Sequence, residues 1–333
     1  MKKHVVFLSL FLVLVMMATI LGGCGGSSKK PDAGAKSAAT AKNPPKIAEP
    51  TKTVDPKANL NADITIVQQL DMVSFDPIAT SDLSNRYIIT NIYSYLFAQD
   101  RYLNSTPELA KSYKRLNDST WQFEIHKGVK THDGKELTAD DVVYSLQRTQ
   151  KGTAIGALFK PVDKISKVDD YTIQITTFGP YPALPTALTH VSCGIVPKHY
   201  LEKAEASKDW SNPIGTGRYK FKSRIIGDSV VMERFDGYFN KDDKALNKSL
   251  TFKIIPEGSG RTIAVETKKA DLNVVFDTVD YDRVVGNANL QLWQHPSQLV
   301  WHLGYDNTNP NFKNKLVRQA INFAVDRKTL MEV

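Results

Sequence analysis

From residue 63 onward, apolar positions fall into alternating stretches of strand-like and helix-like spacing. In "ADITIVQQL" Ile64 and Ile66 stand between polar neighbours, the period of two that marks a strand. "MVSFDPIATSDLSNR" then carries turn formers and a proline and reads as a loop. In "NRYIITNIYSYLFAQD" Ile88, Ile89, Ile92, Tyr95 and Leu96 recur at helical spacing, which predicts one amphipathic helix through Leu96. Trp121, Phe123 and Ile125 alternate in "STWQFEIHKGV" as a strand, and "HDGK" supplies Asp133 and Gly134 for a tight turn. Thr138 stands three residues before Asp141, close to a capping box. Val142, Val143 and Leu146 give the following helix its buried stripe, to about Arg148.

The same alternation returns further on. "YTIQITTF" and "LTFKIIP" read as strands, and "GRTIAVETKKADLNVV" as a helix leading into a short strand. "PIGTGRYKF" is a glycine-punctuated turn entering a strand, and "LVWHLGYDNTNP" a strand ending in a polar loop. "KNKLVRQAINFAVDRKTLMEV" carries Leu316, Ala320, Phe323 and Ala324 as one long amphipathic helix. Strands and helices intermixed in this way predict an α/β fold.

The N-terminus changes the picture of where the chain resides. Lys2 and Lys3 precede an apolar run from Val5 to Ile20 and then "LGGC", the form of an export signal, with a retained anchor helix as the alternative. Gly22, Gly23 and Cys24 resemble the lipobox of bacterial lipoproteins, in which cleavage before the cysteine leaves its sulfur to carry the lipid. Residues 1–23 are then the signal, and 24–62 a lipidated cysteine with a tether of Lys, Pro, Ala, Ser and Thr too poor in apolar groups to fold.

Charge follows the same division. The tether's seven lysines against Asp32, Glu49 and Asp55 balance to +4, and Lys2 and Lys3 add +2. Of the chain's net +8, residues 63–333 therefore keep +2. That argues against nucleic acid as a partner and places the basic segment beside an anionic membrane surface. With Cys24 lipidated, Cys193 has no disulfide partner, and its small apolar surroundings mark a buried inert thiol.

Catalytic and metal chemistry find little support. His126 and His132 are six apart, with His132 in a turn, and His190, His199, His295 and His302 are scattered, so no metal site is assigned. The chain lacks H-E-x-x-H, G-x-S-x-G and a P-loop, and "GTGRYK" lacks the third glycine of a dinucleotide site. Asp140 and Asp141 are adjacent, so they diverge on a helix and serve its N-terminus. No catalytic residue and no cofactor are assigned.

The run "KGVKTHDGKELTADDVVYSLQR", together with the lipobox, "NIYSYL", "PIGTGRYKF", "GDSVVMERFDGYF" and "VRQAINFAVDR", resembles the bacterial extracellular solute-binding proteins of peptide and nickel ABC importers. It departs from their pattern at Arg218, where proline is usual, and at Thr131, where an aromatic residue is common. The resemblance implies a two-lobed periplasmic-binding-protein fold of type II with the second lobe largely missing. Residues 63–85 and 198–305 would form a first-lobe sheet domain, 86–197 a subdomain inserted in it, and 306–333 the start of the second lobe.

It further implies a monomeric lipoprotein, anchored outside the cell membrane, that captures di- or oligopeptides and hands them to ABC permease and ATPase subunits. A nickel or other small-solute receptor, a surface peptide or glycan hydrolase, and a non-transport peptide sensor are the alternatives. The ligand cleft would be lined by Leu70, Asp71, Met72, Val73 and Ser74, with Asp71 as partner for a peptide amine. Thr216 and Gly217 in the glycine turn, and Trp301, Tyr305 and Asn307 near a strand end, would complete it, each weighed against ordinary turn or core duty.

Overall fold

The computed structural model describes residues 61–79, 81–100, 102–152, 155–293 and 302–332. The expected export signal, Cys24, the expected tether through residue 60 and Trp301 lie outside the described residues. The helix α1 (Leu83–Ile92) follows strand β1 (Asp63–Gln68), and the short strands β2 (Phe97–Gln99) and β3 (Ser105–Pro107) pair as a ribbon. Next come β4 (Ala110–Asn117), β5 (Thr120–Ile125), helix α2 (Ala139–Lys151), β6 (Val162–Asp169), β7 (Thr172–Thr177) and helix α3 (Lys198–Ser207). The strands β8 (Tyr219–Ile225), β9 (Ser229–Arg234) and β10 (Ser249–Ile254), helix α4 (Gly258–Glu266) and the two-residue strand β11 (Leu272–Asn273) follow. A short helix α5 (Tyr281–Val285) and the helices α6 (Lys315–Ala324) and α7 (Arg327–Glu332) end the described chain.

One sheet has the order β11-β1-β10-β9-β8. β1 runs parallel to both its neighbours, Ile66 opposite Phe252 on one side and Leu272 on the other. A strand between two parallel partners is covered on both faces. Accordingly Ile66 packs with α1 residues Ile88, Ile89 and Ile92, while Val67 packs with Ala264 of α4 and Ala270. Residues 86–197 are expected as an inserted subdomain, yet Ile88, Ile89, Ile92, Val191 and Val196 from within that range join this core beside α3 residues Tyr200 and Leu201. The core of the five-stranded sheet thus takes in the chain through Tyr93.

The second sheet, β4-β5-β7-β6, is antiparallel throughout. Trp121, Phe123 and Ile125 face inward as their alternation requires, and pack with Ile173, Ile175, and Val142 and Leu146 of α2. The turn before α2 is tight at Gly134, whose φ of 86° is a left-handed conformation suited to glycine. Asp141 then caps two helices with one carboxylate. Oδ2 accepts the Thr138 N–H at 2.7 Å, and Oδ1 accepts the N–H of Lys198, the first residue of α3, at 2.7 Å. α2 runs to Lys151, three residues beyond the expected end.

Two helix expectations are corrected. α1 starts at Leu83, where Asp82 Oδ1 accepts the Asn85 N–H at 2.9 Å, and stops at Ile92 rather than Leu96. Tyr93, Tyr95, Leu96 and Phe97 are all 5 % exposed or less, and a surface helix cannot bury four residues on so many of its sides. Extended backbone can, and Ser94 bridges to Ile195 there. At the other end the expected single helix breaks at Val325 into α6 and α7, because Asp326 turns from helix residue to cap. Its carboxylate accepts the Lys328 N–H at 3.0 Å and the Thr329 hydroxyl at 2.8 Å. Of the strand expected over 299–305, residues 299–301 lie outside the described residues, and residues 302–305 carry no strand.

Candidate functional site

β1, β8, β10 and β11 share one direction, so their carboxyl ends open at the same end of the five-stranded sheet. In open α/β sheets that end is where ligands settle. The segment Leu70–Asp76 leaves β1 there, and the β8–β9 turn stands beside it. Asp71 joins them: Oδ2 accepts the Arg224 guanidinium at 3.0 Å and the Gly227 N–H at 2.9 Å. Arg224 also donates to the Met72 carbonyl at 2.6 Å. Burial alone would raise the Asp71 carboxyl, but the Gly227 N–H and Arg224 outweigh it and hold it below its ordinary value.

Helix α1 braces the same loop. Asn85, fully buried, accepts the Val73 N–H through Oδ1 at 2.6 Å and donates to the Ser74 carbonyl. The Ser74 hydroxyl accepts the Asp76 N–H at 3.0 Å, and Gln68 donates to the Leu70 carbonyl at 2.8 Å. Met72 is buried. The loop thus spends most of its polar groups on itself and presents side chains: Leu70 is 59 % and Val73 68 % exposed, and Ile225 at the end of β8 and Ile226 in the β8–β9 turn are 63 % and 83 % exposed. Beside β11 lies a cavity of about 630 Å³ with Tyr87, Leu272, Val274, Phe276 and Trp293 in its wall.

The remaining expected site residues go elsewhere. Thr216 is fully buried, its carbonyl accepting from the Ser94 hydroxyl at 3.1 Å and its own hydroxyl without a partner. Gly217 donates its N–H to the Ile92 carbonyl at 2.8 Å and offers its carbonyl to His132 Nε2 at 3.1 Å, so both backbone groups are taken. The role of these two residues is to lock a joint. A Cβ on Gly215 or Gly217 would lie 2.0 Å from the Ile92 oxygen and 2.3 Å from the Asn91 oxygen, respectively. His132 completes the lock, its Nδ1 accepting the Gly215 N–H at 3.2 Å, which puts the ring proton on Nε2. Burial lowers its pKa to about 4, against the Gly217 hydrogen bond, so the imidazole is neutral. Tyr305 packs its ring on Phe312 at 5.6 Å, and Asn307 is exposed.

The structure thus brings Leu70–Ser74 together with Arg224, Gly227 and Asn85, none of which the sequence reading singled out. Gly227-Asp228 between two alternating runs, in "IIGDSVV", is the signal that would have marked the turn. Cys193 is buried, its thiol pushed up by burial and turned to the Ala187 carbonyl at 3.5 Å. Among the described residues no group of three His, Cys, Asp or Glu is arranged to hold a metal ion.

Residues 104–333 match the family described as bacterial extracellular solute-binding proteins, family 5, middle region. The chain belongs to this family. It is 28 % identical over 344 residues to the oligopeptide-binding protein AppA of Bacillus subtilis, covering 99 % of this chain and 59 % of AppA. It is also 28 % identical over 275 residues to the glutathione-binding protein GsiB of Pectobacterium atrosepticum, covering 81 % of this chain and 53 % of GsiB. The chain therefore spans little more than half the length of these relatives.

Solved structures agree on the fold. AppA from Bacillus subtilis, in complex with a nonapeptide, superposes with a TM-score of 0.68 at 29 % identity over 81 % of this chain and 55 % of AppA. The periplasmic binding protein DppA from Helicobacter pylori, in complex with the peptide STSA, gives 0.71 at 22 % identity over 82 % and 58 %. The architecture is that of a periplasmic binding protein.

Proposed function

We propose that the chain is the solute-capturing component of an ABC importer, held outside the membrane by lipid on Cys24, and that it takes di- or oligopeptides for delivery to permease and ATPase subunits. The family match over residues 104–333 carries this reading. The naming of AppA for oligopeptides and its complex with a nonapeptide favour peptides as the solute. In this reading the first lobe presents the braced loop Leu70–Ser74 to the ligand. Asp71 stiffens the loop through Arg224 and Gly227, and Leu70 and Val73 supply an apolar wall that tolerates varied side chains. Residues from 306 onward begin the second lobe, and ligand stabilises closure by binding the closed state more tightly than the open one.

The test is calorimetry with peptides of two to nine residues on the longest form the reading frame encodes, with mass spectrometry of the recovered peptide. Binding without cleavage supports the reading; cleaved peptide, or no binding at any length, refutes it. Labelled lipid should appear on the protein in cells and be lost in Cys24→Ala.

A further inference from the structure

Glu108 lies between β3 and β4, is 8 % exposed, and is held from two sides. Oε2 accepts the Tyr95 N–H at 3.0 Å, and Oε1 accepts the Tyr238 hydroxyl at 3.2 Å. Tyr95 follows α1, whereas Tyr238, 1 % exposed, follows β9. The second hydrogen bond therefore crosses from the β2–β4 region to the five-stranded sheet. Across the Tyr238 ring stands the Arg218 guanidinium, 5.2 Å from the ring centre. Arg218 is the residue at which "PIGTGRYKF" departs from the usual proline. It donates Nε to the Asp243 carbonyl at 2.9 Å and pairs with the Asp243 carboxylate.

Arg218 is thus committed to the Asp243 carboxylate and reaches Glu108 only through its field. Asp243 has a side chain 60 % exposed and is solvated in its own right; Glu108 is not. The groups that face Glu108 are the Tyr95 N–H and phenol, the Tyr238 phenol, Arg218 and Asp243. Burial pushes its pKa up to about 7, with Arg218 and the two hydrogen bonds pulling the other way.

We propose that Glu108, Tyr238 and Arg218 form a proton-operated latch between the two sheets. With Glu108 protonated, Arg218 stays on Asp243 and the joint is closed. When Glu108 releases its proton to solvent, the buried carboxylate draws Arg218 away from Asp243, because a buried charge without a counterion is costly. The segment from Phe235 to Asp243 then loosens. In a protein facing the cell exterior, this makes the fit of the two sheets respond to the pH outside.

Hydrogen exchange on the full chain, corrected for the intrinsic pH dependence of exchange, tests the latch between about pH 5.5 and 8.5. Protection over residues 235–243 is expected to fall with a midpoint near 7 and to become independent of pH in Glu108→Gln. Arg218→Gln removes the cation that favours ionisation and moves the midpoint upward. In urea titrations the unfolding constant of the parent, relative to Glu108→Gln, rises about 160-fold between pH 4.5 and the plateau above 7. Protection that stays constant across this range, or that changes equally in Glu108→Gln, overturns the proposal. Should Glu108→Gln fail to fold, a midpoint that Arg218→Gln leaves in place does the same.

Discussion

Replacing His132 by glutamine should convert an acid-sensitive joint into an acid-insensitive one. In the native protein the ring is neutral, with Nδ1 accepting from the Gly215 N–H and Nε2–H donating to the Gly217 carbonyl. Burial resists a charge on the ring and outweighs the Gly217 hydrogen bond, and a proton on Nδ1 would also face another N–H, so its pKa falls to about 4, while the unfolded chain titrates near 6.5. The sign follows directly. This contribution is complete above the unfolded value and is lost as pH falls, because the unfolded chain takes up the proton first. The limit is about 3.4 kcal/mol from a separation of about 2.5 pH units, and about 2.5 kcal/mol is already lost at pH 4.5.

His132→Gln keeps a donor for Gly217 but leaves the Gly215 N–H unpaired, a cost of about 1 to 3 kcal/mol near neutrality. Urea unfolding of parent and variant at pH 7 and 4.5 measures the gap between them, and taking the difference removes titrations common to both, Glu108 included. The gap should shrink by about 2.5 kcal/mol on acidification. A gap that stays constant means that His132 titrates alike in the folded and unfolded chains, and the neutral clamp is then wrong.

Further outcomes follow from the same contacts. Gly217→Ala places a methyl group 2.3 Å from the Asn91 oxygen; overpacking with loss of the Gly217–Ile92 hydrogen bond should cost about 2 to 4 kcal/mol in urea unfolding. Arg148 pairs with both Asp76 oxygens at 2.7 Å, binds Glu205, and lies 5.0 Å from the Trp210 ring centre. Arg148→Met leaves the mostly buried Asp76 carboxylate without its counterion and should cost about 2 to 3 kcal/mol in urea unfolding near neutrality. Asp71→Ala frees Arg224 and the β8–β9 turn; peptide affinity on calorimetry should fall about tenfold, mostly through faster dissociation, if the loop is the first lobe's contribution to capture.

What the sequence could carry was local. Thr138 and Asp141, three apart, reveal a helix start, and Gly134 a turn, because the partners sit within one turn of chain. Trp121, Phe123 and Ile125 reveal their face because strand side chains alternate. The end of α1 was misjudged because Tyr95 and Leu96 hold helical spacing, and what stops the helix is Gly215 and Gly217 pressing on Ile92 from far along the chain. Its place in a loop after a strand makes Asp71 an expected partner for a peptide amine. That its carboxylate belongs to Arg224, 153 residues away, is a fact of tertiary packing that no periodicity records. Thr216 and Gly217 were placed in a cleft for the same reason: a glycine turn looks alike whether it approaches a ligand or another backbone.

The pairing of β1 has a consequence for how the chain is made. β4 to β7 pair through neighbouring sequence, so their sheet can form as soon as Thr177 has emerged. β1 finds no partner until Ser249–Ile254 and then Leu272–Asn273 arrive, though it is the first of the described strands to be synthesised. Such distant closure is slow, since the loop must be ordered before any contact rewards it. The nascent chain therefore carries Ile64, Ile66 and Val67 unpartnered until residue 249 and those after it have been made, a strand open to wrong partners for as long as that synthesis takes.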